Sequence, residues 1–258
     1  MKDNLRLLNK VADAVQAEVR LKLPKIDPGK HICMGADGTP TSLIDKVAED
    51  VILKVMEKEK INILSEECGF IDKGGELTLA MDPIDGTHNV SMGLPLYNVS
   101  LAIGRTCIAD VEVGLVRNLI TGDNFWAKKG KGAYLGKKRI HVKPCELSDA
   151  VFSVFLGNKA PEKAFRLAAL PKKLRVLGSS ALEMCYVAKG DFALYYQAGQ
   201  NLRIIDIAAS CLILREAGGE IYDGQGDIFN MQFDVLERRT CVAVGDRKLL
   251  KKIPWMFE

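Results

Sequence analysis

The chain is poor in the residues that build disulfide frameworks and histidine-based metal sites. Its seven cysteines are odd in number and scattered, and none forms a C-x-x-C pair. Its three histidines, His31, His88 and His141, are too few and too dispersed for a histidine-based metal site. Since most of the cysteines stand beside apolar residues, we expect buried reduced thiols rather than a disulfide framework or a zinc cluster.

The sequence also has no long apolar run and no large excess of charge of one sign, and we expect neither a membrane-spanning segment nor a leader. No run approaches the roughly 18 apolar residues that a transmembrane helix needs. Residues 1–4 lead directly into an amphipathic pattern, without the apolar core of a signal peptide. The net charge of +3 is too small to indicate a nucleic-acid partner by itself. We therefore expect a cytoplasmic protein that binds neither nucleic acid nor a membrane.

Apolar periodicity predicts two helices, then several strands, and then an alternation of strands and helices. The predicted helices span 5–22, 42–58, 161–170, 180–189, 205–217 and 246–253. The predicted strands span 61–64, 77–81, 100–104, 111–116, 124–127, 151–156, 174–177, 192–197 and 241–244, with a hairpin around 133–135. Ser42 and Asp45 resemble a capping box, and a polar loop over 35–40 precedes them. The change of pattern near residue 145 predicts an α+β lobe over 1–145 and a tightly packed α/β lobe over 146–258, in layers of sheets and helices.

The most informative segment is D-P-I-D-G-T at residues 82–87, which follows the apolar run 77–81. Carboxylate oxygens such as those of Asp82 and Asp85 suit a hard cation such as Mg²⁺. Backbone N–H groups at Gly86 and Thr87 suit an anion. The same residue types also build ordinary surface turns, so the segment alone leaves both interpretations open.

Four further acidic residues are candidates to complete a site with Asp82 and Asp85: Asp45, Glu66, Glu67 and Asp206. Glu66 and Glu67 end the preceding predicted strand, and Asp206 stands at the start of an otherwise apolar helix. An ionised carboxylate among apolar residues is costly unless it is paired, hydrogen-bonded or bound to metal. The alternatives are a helix N-cap for Asp206 and a solvated strand end for the two glutamates.

In order and spacing, these motifs resemble the inositol monophosphatase superfamily over essentially the whole chain. The resemblance is carried by E-E at 66–67, D-P-I-D-G-T at 82–87, G-S-S-A at 178–181 and Asp206. The archaeal-type inositol monophosphatase/fructose-1,6-bisphosphatase branch is indicated by D-G-T-P-T at 37–41, C-Y-V-A-K-G at 185–190 and R-I-I-D at 203–206. The resemblance implies an α+β fold, a layered αβαβα sandwich, and a homodimer.

The resemblance also implies roles for individual residues. It implies metal coordination by the side chains of Glu66, Asp82, Asp85 and Asp206 and by the backbone oxygen of Ile84. It implies a catalytic set of Asp45, Thr87 and Glu66, in which Asp45 and Thr87 take a proton from water. The substrate-binding residues that it implies are Gly86, Thr87, Gly178, Ser179 and residues near Gln197 to Arg203.

The implied activity is Mg²⁺-dependent hydrolysis of a phosphate monoester, fructose-1,6-bisphosphate and/or inositol-1-phosphate, in carbohydrate metabolism and gluconeogenesis. Two or three Mg²⁺ ions would serve each site, with Mn²⁺ as a substitute. Uncatalysed hydrolysis of such esters is among the slowest reactions known, and metal ions neutralise the phosphate and acidify water. The alternative is a nucleotide phosphatase of the same fold, acting on 3′-phosphoadenosine 5′-phosphate or NADP, for which Tyr195, Tyr196 and Phe155 are candidate adenine contacts. A non-enzymatic protein is disfavoured because every expected ligand is present.

Two departures from better-known relatives leave substrate choice and a third metal ion open. Gln197 stands where animal-type enzymes carry a glutamate, and Thr39 stands where many relatives have an aspartate, with Asp37 shifted. Arg175 and Arg203 flank the predicted substrate side, and arginine is suited to a second phosphate because its planar fork binds two oxygens. The alternative for each is a surface arginine.

Overall fold

The computed structural model describes residues 3–157 and 160–257, which form six α-helices, fifteen strands and several short 3₁₀ helices. The helices are α1 (Asn4–Lys22), α2 (Leu43–Met56), α3 (Thr87–Ser91), α4 (Glu162–Ala168), α5 (Ser180–Lys189) and α6 (Ile204–Glu216). The strands are β1 (His31–Met34), β2 (Pro40–Ser42), β3 (Asn62–Ser65), β4 (Gly69–Ile71), β5 (Thr78–Asp85), β6 (Asn98–Gly104), β7 (Val113–Asn118), β8 (Asn124–Lys128), β9 (Ala133–Leu135), β10 (Lys138–Ile140), β11 (Val151–Phe155), β12 (Lys173–Arg175), β13 (Leu194–Leu202), β14 (Glu220–Tyr222) and β15 (Arg239–Val244).

Most predicted elements are present with slightly different ends, the polar loop among them, and two predictions need correction. The predicted loop over 35–40 is the connection of a hairpin formed by β1 and β2. The last predicted helix is a 3₁₀ helix, Arg247–Lys252. The strand predicted over 77–81 continues to Asp85, so the D-P-I-D segment is strand rather than turn. Its register shifts between Asp82 and Asp85, and such an irregularity accommodates Pro83, which cannot donate to the ladder.

Two sheets organise the chain. The first has the order β10-β9-β8-β7-β6-β5-β3-β4, in which only the β3–β5 pair is parallel. The second has the order β12-β11-β13-β15-β14, with β11 parallel to both of its neighbours. The strands of the first sheet lie within 62–140 and those of the second within 151–244. The lobe boundary near residue 145 stays a prediction.

Three apolar clusters show how the layers stack. One joins α1 and α2 to one face of the first sheet. A second joins the other face of that sheet to α5, α6 and the second sheet. A third joins the outer face of the second sheet to α4 and the C-terminal 3₁₀ helices. The order of layers is therefore helix, sheet, helix, sheet, helix, which confirms the predicted αβαβα sandwich.

Helix α6 is the central element of the sandwich. Its residues from Ile204 to Leu214 are all buried, as expected for a helix packed between two sheets. It lies against β7 so closely that a Cβ atom on Gly114 would fall 2.8 Å from the carbonyl oxygen of Ala209. This close packing sets the position of Asp206, in the first turn of α6, relative to the strands of the first sheet.

All seven cysteines are free, and four of them are buried: Cys107, Cys185, Cys211 and Cys241. Burial raises the pKa of the Cys211 thiol to about 12. Among the described residues, no helix has both the length and the apolar character that crossing a membrane would require.

The contact between α6 and β7 yields a stability prediction. Gly114→Ala should lower the free energy of unfolding by about 1–3 kcal/mol, because the added methyl group overpacks against backbone that cannot move independently. Urea unfolding measures the change. Gly224→Ala is the control, because the nearest atom to its added Cβ would lie 3.9 Å away. Equal stability of the two variants would contradict the proposed close packing.

Candidate active site

The acidic residues predicted to form a site converge at the ends of β3, β5 and the first turn of α6. The parallel register pairs Ser65 with Met81, so Glu66 comes level with Asp82. Carboxylate oxygens of Glu66, Asp82 and Asp206 all lie within 4.8 Å of one another, and the three residues are buried. Carboxylate oxygens of Asp45, Glu66 and Glu67 also lie within 4.8 Å of one another. The site is thus assembled from both halves of the chain.

The electrostatics of this cluster are unfavourable without cations. Burial, together with repulsion from Glu66, Asp85 and Asp206, raises the pKa of Asp82 well above its ordinary value. Burial also raises the pKa of Glu66, although the nearby Arg203 guanidinium opposes that shift. Carboxylates in such surroundings are stabilised in the ionised form by positive charge, either an arginine or a metal ion.

Asp85 is held by three donors, one on β6 and two at the start of α5. Its Oδ2 accepts hydrogen bonds from Asn98 Nδ2 at 2.9 Å, from Ser179 Oγ at 2.8 Å and from the Ala181 backbone N–H at 2.9 Å. Burial nevertheless raises the pKa of Asp85 to about 6. Because the Ser179 hydroxyl is used in this way, Ser179 stands at the N-cap of α5 without a side-chain hydrogen bond to the helix.

Thr87 and Asp45 form the side-chain pair that the resemblance implies. The Thr87 hydroxyl lies 2.9 Å from Asp45 Oδ1 and also 2.9 Å from the Ile84 carbonyl oxygen. The predicted capping box of Ser42 and Asp45 is present, and the Ser42 hydroxyl further orients Asp45 by donating to its Oδ2 at 2.6 Å. Burial raises the pKa of Asp45, although hydrogen bonds from Ser42 and Thr87 oppose that shift. The Thr87 hydroxyl therefore lies between the Asp45 carboxylate and the metal-ligand candidates.

Two glycines bring the predicted phosphate and substrate segments together. Gly86, the N-cap of α3, has a φ of +96°, and an added Cβ would lie 2.9 Å from Leu96 O and 3.4 Å from Gly178 O. Gly178 has a φ of +75°. The Asn89 amide ties the two segments by donating to Leu96 O at 2.6 Å and to Leu177 O at 2.7 Å. Gly86 and Gly178 thus lie side by side, as a shared substrate site requires.

Arg203 lies inside the carboxylate cluster. Its Nη2 and Nε donate to Asp206 Oδ1 at 2.8 and 3.0 Å, and its Nη1 donates to Asp37 Oδ2 at 2.8 Å. It also pairs with Glu66. Asp206 is the third residue of α6 rather than its N-cap, and its Oδ2 accepts the backbone N–H of Arg203 at 2.8 Å. The N-cap alternative for Asp206 is therefore wrong.

Arg175 and Gln197 lie outside the carboxylate cluster. Arg175 is exposed, and its Nη1 donates to the backbone of its neighbour Leu174 at 2.7 Å. Gln197 is buried, and its Oε1 lies 2.9 Å from the Tyr195 hydroxyl, which also bonds Ser180. The substrate roles predicted for Arg175, Gln197 and Arg203 stay predictions.

Glu183 is a buried residue of the site region that the sequence interpretation missed. Its Oε1 accepts hydrogen bonds from Ser153 Oγ and from the Leu177 backbone N–H, both at 2.6 Å. It therefore fixes the segment that carries Gly178 and Ser179. Burial raises the pKa of Glu183 to about 7. The available signal was a lone acidic residue in the apolar run A-L-E-M-C, the same kind of signal that identified Asp206.

The residues present suit a divalent cation. Glu66 Oε2 is buried and accepts no hydrogen bond of acceptable geometry among the described residues, although Arg203 lies close to it. Several buried carboxylate oxygens close together are the donor set that a hard cation such as Mg²⁺ or Mn²⁺ prefers. Glu66, Asp82 and Asp206 would hold such an ion, with Asp85 and the Ile84 carbonyl oxygen beside them.

Comparison with known proteins agrees with this geometry. The inositol monophosphatase family matches residues 6–254. The chain is 36% identical over 264 residues to the fructose-1,6-bisphosphatase/inositol-1-monophosphatase of Methanothermobacter thermautotrophicus, which covers 96% of this chain and 94% of that protein. It is 34% identical over 279 residues to the bifunctional NADP phosphatase/NAD kinase of Methanococcus maripaludis, covering 99% of this chain and 49% of that protein. The crystal structure of an inositol monophosphatase–fructose-1,6-bisphosphatase matches with a TM-score of 0.89 and 30% identity, covering 99% of this chain and 100% of that one.

Glu183 yields a pH prediction. Its pKa is raised from an ordinary 4.5 to about 7, so the folded state binds its proton more tightly than the unfolded state. The stabilisation that this proton provides is complete below the unfolded pKa and is lost as pH rises through the folded pKa. Glu183→Gln should therefore gain stability over the unsubstituted protein between about pH 5 and about pH 8, by at most on the order of 3 kcal/mol.

Urea unfolding in EDTA at several pH values measures this difference. The glutamine carbonyl can accept the same two hydrogen bonds, so the variant should fold. Glu162→Gln, at an exposed position of α4, is the matched control and should follow the unsubstituted protein. Parallel pH curves for Glu183→Gln and the unsubstituted protein would contradict the prediction.

Proposed function

The chain belongs to the inositol monophosphatase family, and on that premise we propose that it is a Mg²⁺-dependent phosphate monoesterase acting on fructose-1,6-bisphosphate and inositol-1-phosphate. The observation that carries the proposal is the convergence of Glu66, Asp82 and Asp206, whose carboxylate oxygens lie within 4.8 Å of one another. Beside them stand the Thr87–Asp45 pair and the Gly86 backbone. The proposed metal site, the proposed proton acceptor and the backbone that would bind phosphate are thus adjacent.

Bound Mg²⁺, for which Mn²⁺ is a substitute, would neutralise the phosphate and acidify a water molecule. Glu66, Asp82, Asp85 and Asp206 would hold two or three such ions, with the Ile84 carbonyl oxygen. The three donors to Asp85 Oδ2 fix the orientation of that carboxylate before any ion binds. Pre-oriented ligands avoid the cost of reorganisation during the reaction.

Thr87 and Asp45 would take the proton of the attacking water. The Thr87 hydroxyl accepts that proton as it passes its own to Asp45 Oδ1, 2.9 Å away. The raised pKa of Asp45 suits a carboxylate that must accept a proton. Backbone N–H groups at Gly86 and Thr87 would hold the phosphate, and Gly178 and Ser179 would border the sugar or polyol.

Substrate choice rests on the relatives and on two side chains. The relative from Methanothermobacter thermautotrophicus is named for both fructose-1,6-bisphosphate and inositol-1-phosphate. Arg175 is exposed and is the last residue of the edge strand β12, shortly before Gly178 in the chain. A second phosphate of a substrate bound at Gly178 would contact its guanidinium. Gln197 would hydrogen-bond a substrate hydroxyl without adding charge. Carbohydrate metabolism, and gluconeogenesis within it, is the corresponding role.

The alternative substrate is a nucleotide, as the name of the relative from Methanococcus maripaludis indicates for that protein. Of the predicted adenine contacts, Tyr195 and Tyr196 are 0% and 1% exposed, which leaves no face for a base to stack upon. Phe155 is only partly buried. The burial of both tyrosines favours the sugar and polyol phosphates over NADP.

We further propose a cytoplasmic location and a homodimer. The seven free thiols are consistent with a reducing compartment. The homodimer follows from the family resemblance.

Asp82→Asn tests the activity. Because losing even an outer-shell contact of a metal site costs about 10–100-fold, removing this central carboxylate should reduce Mg²⁺-dependent phosphate release by more than about 100-fold. Phosphate release is measured with fructose-1,6-bisphosphate, inositol-1-phosphate, 3′-phosphoadenosine 5′-phosphate and NADP, with and without Mg²⁺. Asp149→Asn, which loses only an exposed pair with Lys172, is the control.

Two results would count against the proposal in different ways. No Mg²⁺-dependent release from any of the four substrates would refute the phosphatase activity. Release confined to the two nucleotides would replace the proposed substrates with the alternative.

Arg175→Ala tests the second-phosphate role. A charge-assisted hydrogen bond to phosphate contributes about 1.5–3 kcal/mol, so kcat/KM for fructose-1,6-bisphosphate should fall about tenfold or more. Turnover of inositol-1-phosphate, which has one phosphate, should be unchanged. Lys172→Ala, a neighbouring exposed cation, controls for a general loss of charge. Equal losses for both substrates would refute the role.

A further inference from the structure

Arg203 is a cation that the fold itself places among the metal-ligand candidates. Its three guanidinium nitrogens all meet carboxylates: Nε and Nη2 meet Asp206, and Nη1 meets Asp37 and Glu66. The side chain is 19% exposed. Every guanidinium nitrogen has a carboxylate partner within the cluster. Its position therefore requires an explanation within the cluster.

Two of these carboxylates are the same groups that would bind metal. Asp206 Oδ1 accepts two hydrogen bonds from Arg203, and Asp206 Oδ2 accepts the backbone N–H of the same residue. Glu66 pairs with Nη1. Arginine is always charged, so it opposes the repulsion among Glu66, Asp82 and Asp206 at every pH at which the protein is folded. A divalent ion at these oxygens must tolerate this positive charge or displace it.

Both carboxylate oxygens of Asp37 are also engaged in hydrogen bonds or ion pairs. Its side chain is fully buried, and its Oδ2 meets Arg203 and also Arg238 Nη2, at 3.2 Å. Its Oδ1 accepts the Thr39 hydroxyl at 2.7 Å and the Thr39 backbone N–H at 2.9 Å. The only carboxylate that the β1–β2 hairpin brings to the cluster is therefore bound by two arginines and is not available as a ligand for a further ion.

We propose that Arg203 is a resident cation of the metal site, which neutralises Glu66 and Asp206 before a divalent ion binds. It holds these carboxylates together before metal binds, and its charge weakens the binding of the last ion to enter. The inference rests on the metal dependence of the proposed function and deepens it. It predicts that removing the positive charge strengthens metal binding, whereas loss of an ordinary supporting residue would weaken it.

The test is a calorimetric titration of Arg203→Gln with Mn²⁺, without substrate, after removal of metal with EDTA. The weakest-binding Mn²⁺ should bind at least tenfold more tightly than in the unsubstituted protein, because a like charge is removed from beside the ligands. The increase in Tm on adding a fixed excess of Mg²⁺ should also be larger in the variant, since at a fixed concentration a ligand that binds more tightly stabilises the folded state more.

Two further variants sharpen the test. Arg238→Gln removes the other arginine from Asp37 but contacts neither Glu66 nor Asp206, so its titration should match the unsubstituted protein. Arg203→Lys keeps the charge and should show no tightening of Mn²⁺ binding.

The Arg203→Gln variant remains informative if it folds poorly. If it folds only when metal is present, its refolding on addition of Mg²⁺ is the supporting result. Should it fail to fold even with Mg²⁺, weaker binding by Arg203→Lys than by the unsubstituted protein would overturn the inference, and equal binding would support it.

Unchanged or weaker Mn²⁺ binding by folded Arg203→Gln would overturn the inference while leaving the proposed function intact. Failure of the proposed function has a different signature, in which the unsubstituted protein binds no Mn²⁺ and releases no phosphate. That result would overturn both.

Discussion

Glu66, Asp82 and Asp206 bring three carboxylates into one buried space, where their repulsion must be offset by positive charge. The fold brings these carboxylates together and keeps them close. The parallel pairing of β3 with β5 sets Glu66 beside Asp82, and the close packing of α6 on β7 brings Asp206 to them from the second half of the chain. A buried charge that loses its partner is strongly destabilising, so the layers and the cations are interdependent.

The groups around the cluster come from three layers of the sandwich. Ser42, at the start of α2, orients Asp45, and Asn98 on β6 orients Asp85. Glu183 on α5 fixes the segment before Ser179, whose hydroxyl completes the contacts of Asp85. The site is therefore rigid because elements far apart in sequence restrain one another, and such restraint is what positioning of a phosphate ester and a water molecule requires.

The sequence predicted the acidic residues of the site better than it predicted their supports. Asp82 and Asp85 stand in a specific motif, Ser42 and Asp45 have the spacing of a capping box, and Asp206 interrupts an apolar helix, so each carries a local signal. Asn98 carries none, because its pairing with Asp85 is fixed by strand register. The extension of β5 through Asp85 was missed because proline ordinarily ends a strand, whereas here a register shift accommodates it. The homodimer and the lobe boundary stay predictions.

X-ray diffraction from crystals grown with Mn²⁺ and inorganic phosphate, with data collected at the manganese absorption edge, tests the central claim most directly. The account predicts anomalous peaks in contact with carboxylate oxygens of Glu66, Asp82 and Asp206, and phosphate density at the Gly86 and Thr87 backbone. Ordered manganese elsewhere in the protein, with none at these three carboxylates, would contradict it.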